Sequence, residues 1–126
     1  MKDDYVSFEV AKLLKEKGFN EYCLKNYWSS DKELHDWKWE LSYNRNSDGN
    51  CNTKDCAAPT LQMAMKWLRE VHRIGIIIEI SDPSVKDRKY YCMIWDGNNN
   101  SYILDLFNTY EEAVEAALKY SLENLI

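Results

Sequence analysis

Residues 90–120 read YYCMIWDGNNNSYILDLFNTYEEAVEAALKY, and this stretch decides the fold class. Two apolar runs, at 90–95 and 102–107, flank the sequence DGNNN, whose residues tolerate positive φ and close tight turns. The pattern predicts a β-hairpin. Thr109 and Glu112 then form a capping box, which predicts a helix at 110–124 directly after the hairpin.

The segment before the hairpin predicts one more strand and one more helix. The run IIIEI at 76–80 is β-branched at four of its five positions and is expected to be a central, well-covered strand that ends at Asp82-Pro83. Pro59 suits the first turn of a helix that runs to about Arg73. The apolar face of this helix would consist of Leu61, Ala64, Met65, Leu68 and Val71.

The N-terminal half predicts a first helix followed by a strand. Ser7 is placed to cap a helix that runs to about Lys17, and Gly18 is placed to end it. Residues 21–28 carry apolar side chains on one parity and predict a strand that is followed by a turn at 29–31.

Strict alternation of apolar and polar residues at 36–43 predicts a half-buried antiparallel strand. Trp37, Trp39, Leu41 and Tyr43 would share one face, and the two tryptophans would point into a helix layer. This strand should form a hairpin with the strand at 21–28. Residues 44–54 have no apolar period and predict a long loop.

Together these elements predict an α+β fold in the order α-β-β-α-β-β-β-α. Short connections in the second half favour a mainly antiparallel sheet of about five strands, covered by three helices. With 126 residues and no internal repeat or linker, we expect a single domain at 1–126.

Charge and composition disfavour several classes of function. The net charge of -5 opposes attraction to phosphate backbones, so we expect no nucleic-acid partner. The sequence has no secretory signal and no run of eighteen apolar residues, which predicts a cytoplasmic protein without a membrane partner. The four cysteines are too few to cross-link a domain of this size and are expected to be reduced.

The loop from Asn44 to Asp55 partly matches the pattern of a calcium-binding loop. It would supply oxygen ligands from Asn44, Asn46, Asp48 and Asp55, with Gly49 at the sharp turn. Only two of these ligands are carboxylates, and a strand rather than a helix should precede the loop. An ordinary Asn/Gly turn is the favoured interpretation, and whether the loop binds a cation stays open.

The cysteines allow two further hypotheses, a zinc site and a cysteine nucleophile. Cys51 and Cys56 could join two of Cys23, Cys92, His35 and His72 around zinc, but no second close pair is present. Cys56, near the start of the second helix, could gain thiolate character from the helix terminus. His72 would lie more than about 20 Å away at the other end of that helix, which leaves only His35 as its base.

Three segments resemble those of a known group of proteins. The sequences CAAPT at 56–60, MKWLREVH at 65–72 and YEEAVEAAL at 110–118 resemble small proteins of phages, prophages and gut bacteria, including the phage ABA-sandwich type. The resemblance covers most of the chain. It implies an N-terminal helix, a Trp-bearing strand pair, a middle helix, further strands and a final Ala-rich helix, and a mobile-element or host cytoplasmic origin. It assigns no activity, ligand or catalytic residue.

We therefore expect a non-catalytic module that binds a protein partner, which could be a second copy of itself. The five Trp and nine Tyr residues suit interface anchors, and no residue is assigned to catalysis, a cofactor or a metal. Two alternatives stay open: an acidic mimic of nucleic acid that inhibits a host defence protein, and a small metal- or Cys-dependent hydrolase.

Overall fold

The computed structural model describes residues 4–36, 45–46, 55–81, 84, 86 and 89–126. These residues form an α+β fold with three helices and six strands in the order α-β-β-β-α-β-β-β-α. The elements are α1 (Phe8–Glu16), β1 (Lys25–Tyr27), β2 (Leu34–Asp36), β3 (Cys56–Ala58), α2 (Leu61–Val71), β4 (Gly75–Ile80), β5 (Tyr90–Trp95), β6 (Ser101–Phe107) and α3 (Tyr110–Asn124). The chain divides into two compact units, Met1–Thr60 and Leu61–Ile126.

Helix α1 of the first unit begins and ends where its sequence predicts. The Ser7 side chain accepts a hydrogen bond from the backbone N–H of Val10 at 3.2 Å, which satisfies one of the unpaired N–H groups of the first turn. Gly18 follows the helix with a φ of 92°, a conformation that costs glycine little. Residues Val10, Ala11 and Leu14 form the buried face.

The three short strands of the first unit form an antiparallel sheet in the order β2-β1-β3. A hairpin joins β1 and β2, where Tyr27 pairs with Leu34 across the predicted turn at 29–31. The strand predicted at 36–43 overlaps β2 at Asp36 only, so the predicted pairing of that strand is tested at this residue alone. Strand β3 was not predicted. Its three residues are all buried, so the segment has neither the alternation of a half-buried strand nor enough length to suggest a covered one.

Most of the alternating segment at 36–43 lies outside the described residues, and so do its two tryptophans, Trp37 and Trp39. Asp36 alone is described, at the end of β2. In the predicted loop at 44–54, only Arg45 and Asn46 are described.

In the second unit, α2 and α3 pack against an antiparallel sheet with the strand order β4-β5-β6. Helix α3 packs against all three strands, and α2 packs against β4. The predicted hairpin is confirmed by the pairing of β5 with β6. The last helix is confirmed with its cap: the Thr109 side chain accepts from the N–H of Glu112 at 3.1 Å, and the Glu112 carboxylate accepts from the N–H of Asn108 at 3.3 Å. The core includes Leu68, Ile74, Ile94, Val114, Leu118 and Leu122, which are almost fully buried.

The structure corrects the sequence prediction at three points. The described strands form two three-stranded sheets rather than one sheet of about five. The second helix begins at Leu61 and ends at Val71, because the residues before Pro59 are already paired in β3. Strand β4, predicted to be central, lies at the edge of its described sheet. Its apolar run is typical of a strand covered on both faces, yet Ile77 is 45% exposed.

The turn between β5 and β6 is organised by the carboxylate of Asp96. Its oxygens accept from the N–H groups of Asn98 at 2.8 Å and Asn100 at 3.1 Å, and from the hydroxyl of Tyr102 at 3.2 Å. These bonds, that of the Asn98 N–H first, hold the pKa of Asp96 below its ordinary value of 3.8. The ionised carboxylate therefore stabilises the folded turn.

Replacing this carboxylate should make stability less dependent on acid pH. Because the folded pKa of Asp96 lies below that of the unfolded chain, its contribution is present above 3.8 and is lost as the pH falls through the lower folded value. The thermal midpoint of Asp96→Asn should therefore lie below that of the wild type at neutral pH, and the difference should shrink in acid. Asp105→Asn is the matched control, and a difference for Asp96→Asn that persists undiminished in acid would contradict the assignment.

Candidate functional site

The two faces of the β4-β5-β6 sheet have different surroundings. Ile76, Ile94 and Tyr102 are directly opposite one another in the register and so share a face. The ring of Tyr102 lies 5.5 Å from that of Tyr120 on α3, and Ile94 is fully buried. This row therefore faces the helices.

The neighbouring row points to the opposite side, because successive residues of a strand alternate between faces. It consists of Ile77, Met93 and Ile103, which are paired across the three strands. Ile77 is 45% exposed and Ile103 is 58% exposed, and Met93 between them is half-buried. Trp95, 42% exposed, lies in the next row on the same side. We call this side of the sheet, with Tyr91 at its other end, the outer face.

The end of the outer face beside Tyr91 carries two carboxylates. Glu79 is paired with Tyr91, and Asp105 and Leu106 together lie opposite Tyr91, because the register shifts there by one residue. Glu79 and Asp105 are exposed, and neither side chain forms a hydrogen bond or ion pair with any other residue that the structure describes. The nearby Lys89 ammonium donates to the side chain of Asn108.

A contiguous apolar surface on three neighbouring strands is typical of a site at which a protein binds a partner or a ligand. Its sequence signal was the set of apolar residues at outward positions of β4, β5 and β6, where a solvated face would hold polar residues: Ile77, Tyr91, Met93, Trp95 and Ile103. The sequence predicted a covered strand only at 76–80, and Ile77, Met93, Trp95 and Ile103 were not predicted as candidate functional residues.

The described part of the predicted calcium loop has a structural role. The Asn46 side chain donates to the carbonyl of Phe19 at 2.7 Å and accepts from the N–H of Ala57 at 2.9 Å. The Asp55 carboxylate accepts from the N–H of Ser29 at 2.8 Å. Two of the four predicted ligand side chains therefore already bond the backbone of the first unit. The other two, Asn44 and Asp48, lie outside the described residues.

The cysteines have surroundings that suppress thiolate formation. Cys56 lies in β3 and not in the first turn of a helix, which corrects the basis of the nucleophile hypothesis. Burial raises its pKa, and burial followed by the charge of Glu21 raises the pKa of Cys23 to about 12. Burial also raises the pKa of Cys92. These thiols are therefore protonated and poor nucleophiles at neutral pH. Cys51 lies outside the described residues.

His35 is not placed to act with Cys56. His35 lies on β2 and Cys56 on β3, on either side of β1, so roughly 10 Å separates their backbones. The ring of His35 stacks on Trp28 with a centroid distance of 3.6 Å, and its Nε2 lies 2.8 Å from the Asp31 carboxylate. His72 belongs to the second unit, where its ring contacts Trp67. In the described ranges, no three His, Cys, Asp or Glu side chains are grouped to hold a metal ion.

No family model, curated protein or solved structure matches the chain. The phage-type origin, the cytoplasmic location and the single domain therefore stay predictions from the sequence. Across the part of the chain that the structure describes, no helix combines the length and the apolar character needed to cross a membrane.

Proposed function

We propose that this chain is a non-catalytic module that binds a protein partner through the outer face of the β4-β5-β6 sheet. The observation that carries the proposal is the row of Ile77, Met93 and Ile103, in which both flanking side chains are about half exposed. Trp95 beside them is of the residue type that most often anchors a protein interface.

The charges around the outer face favour a partner that is apolar at its centre and basic at its rim. Glu79 and Asp105 are exposed at one end of the face, and neither is paired with a described cation. A lysine or arginine of the partner beside them would gain the electrostatic complementarity that steers association. The net charge of -5 acts in the same direction.

The proposal can be tested by selecting binding peptides from a displayed random library with the native chain. We expect selected peptides to combine apolar and basic residues, and to bind Ile77→Lys and Ile103→Lys about tenfold more weakly or worse, because a buried lysine in the contact is costly. Binding is measured by fluorescence anisotropy with the selected peptides in synthetic form.

The matched control is Val71→Lys, which adds the same charge at a residue of α2 that is 56% exposed. It should leave the affinity unchanged. Peptides that bind Ile77→Lys and Ile103→Lys as tightly as the wild type would overturn the proposal, and so would a selection that yields no binding peptide. Binding that depends on clustered carboxylates alone would instead favour the nucleic-acid mimic.

A further inference from the structure

The dimensions of the outer face limit what can cover it. Strand β5 has six residues and spans roughly 20 Å, and three strands together are roughly 14 Å wide. The projected area of the face is then about 300 Å², whereas a standard protein interface buries roughly 800 Å² on each partner. A standard interface with a flat domain surface, including a second copy of this face, would therefore have to extend beyond the three strands.

The opposite face of the same sheet shows which element covers a face of this size. Helix α3 has 15 residues, which corresponds to roughly 22 Å, and it packs against β4, β5 and β6 together. With its side chains, a helix is roughly 10–12 Å wide, close to the width of three strands. One helix of about four turns therefore matches a face of this sheet in length and in width.

We propose that the element bound on the outer face is a single amphipathic α-helix of the partner, about four turns long, with an apolar stripe bordered by Lys or Arg. This inference rests on the proposed function and specifies its partner. The helix axis follows β5, so the apolar stripe crosses the row of Ile77, Met93 and Ile103. The basic residues lie beside Glu79 and Asp105, at one end of the face. Bound in this way, the partner helix and α3 enclose the sheet from both sides, which is the arrangement that the apolar pattern of β4 predicts.

Three synthetic peptides of 15 residues, the length of α3, test the inference. The first contains Leu, Lys and Ala with leucines at helical spacing and lysines on both borders of the stripe. The second has the same composition with leucines at every second position, which favours an extended strand. The third has the first arrangement with Glu in place of Lys. Affinity is measured by fluorescence anisotropy, and helix formation on binding by circular dichroism.

We expect the helical basic peptide to bind about tenfold more tightly than either of the others and to gain helix content on binding. Ile103→Lys should weaken its binding about tenfold, Glu79→Gln combined with Asp105→Asn should weaken it several-fold, and Val71→Lys should not change it. Urea unfolding of each variant confirms that it is folded.

Failure of the inference differs from failure of the proposed function. If the alternating or the acidic peptide binds as tightly as the helical basic one, or if no designed peptide binds, the basic helix is the wrong partner. If selected peptides then still lose affinity for Ile103→Lys, the proposed function stands. A helical basic peptide that binds Ile103→Lys as well as the wild type also overturns the inference, because it binds elsewhere.

Discussion

Ile94→Ala is expected to lower the free energy of unfolding by about 3 kcal/mol, the usual loss when a buried isoleucine leaves a cavity. Ile94 is fully buried in the middle strand of the second unit, on the side that faces α3. Surrounding side chains can relax only partly into the space. Urea unfolding followed by circular dichroism measures the change.

The control for this prediction is Ile103→Ala on the neighbouring strand. Ile103 is 58% exposed, so its truncation should change the free energy of unfolding by no more than about 0.5 kcal/mol. The two variants make the same chemical change on opposite faces of one sheet. Equal losses would show that the outer face is covered within the chain, which would remove the basis of the proposed binding surface.

Asn46→Ala is expected to destabilise the first unit by about 2 kcal/mol. The substitution removes one donor and one acceptor, and so leaves the carbonyl of Phe19 and the N–H of Ala57 without these partners. Ala57 is fully buried, and a buried N–H without a hydrogen bond costs roughly 1–3 kcal/mol. Urea unfolding measures the loss, and faster amide exchange at Ala57 should accompany it.

Two further variants separate this role from a general effect of the loop. Asn46→Asp keeps an acceptor for Ala57 but places a carboxylate oxygen against the Phe19 carbonyl, so it should also be strongly destabilising. Ser30→Ala, at an exposed position of the turn between β1 and β2, should be nearly neutral. An Asn46→Ala variant as stable as Ser30→Ala would contradict the bridging role and reopen the question of a cation ligand in this loop.

The elements that were predicted correctly depend on short-range chemistry. Ser7 and Thr109 cap helices through residues three positions away, and Asp96 closes its turn through residues two and four positions away. Such bonds are formed within one segment and can therefore be inferred from the order of residues.

The elements that were missed depend on contacts distant in sequence. Asn46 bonds residues 27 and 11 positions away, so its identity in an Asn-rich segment gave no sign of its partners. The outer face was missed for a different reason. An apolar residue on a strand predicts that its side chain meets another surface, but it does not say whether that surface belongs to the same chain. Ile77 and Ile103 could be recognised only once the helices were located on the other side.

The buried thiols make the two units separately observable. Cys23 and Cys56 belong to the first unit and Cys92 to the second, and burial raises the pKa of all three. A thiol reagent therefore reacts with the native chain mainly when the surrounding structure opens. The labelling rate of each thiol thus reports how often its own unit opens. In a Cys51→Ser background, equal rates at all three thiols would indicate that the chain opens as one cooperative body. Unequal rates would show which half opens first.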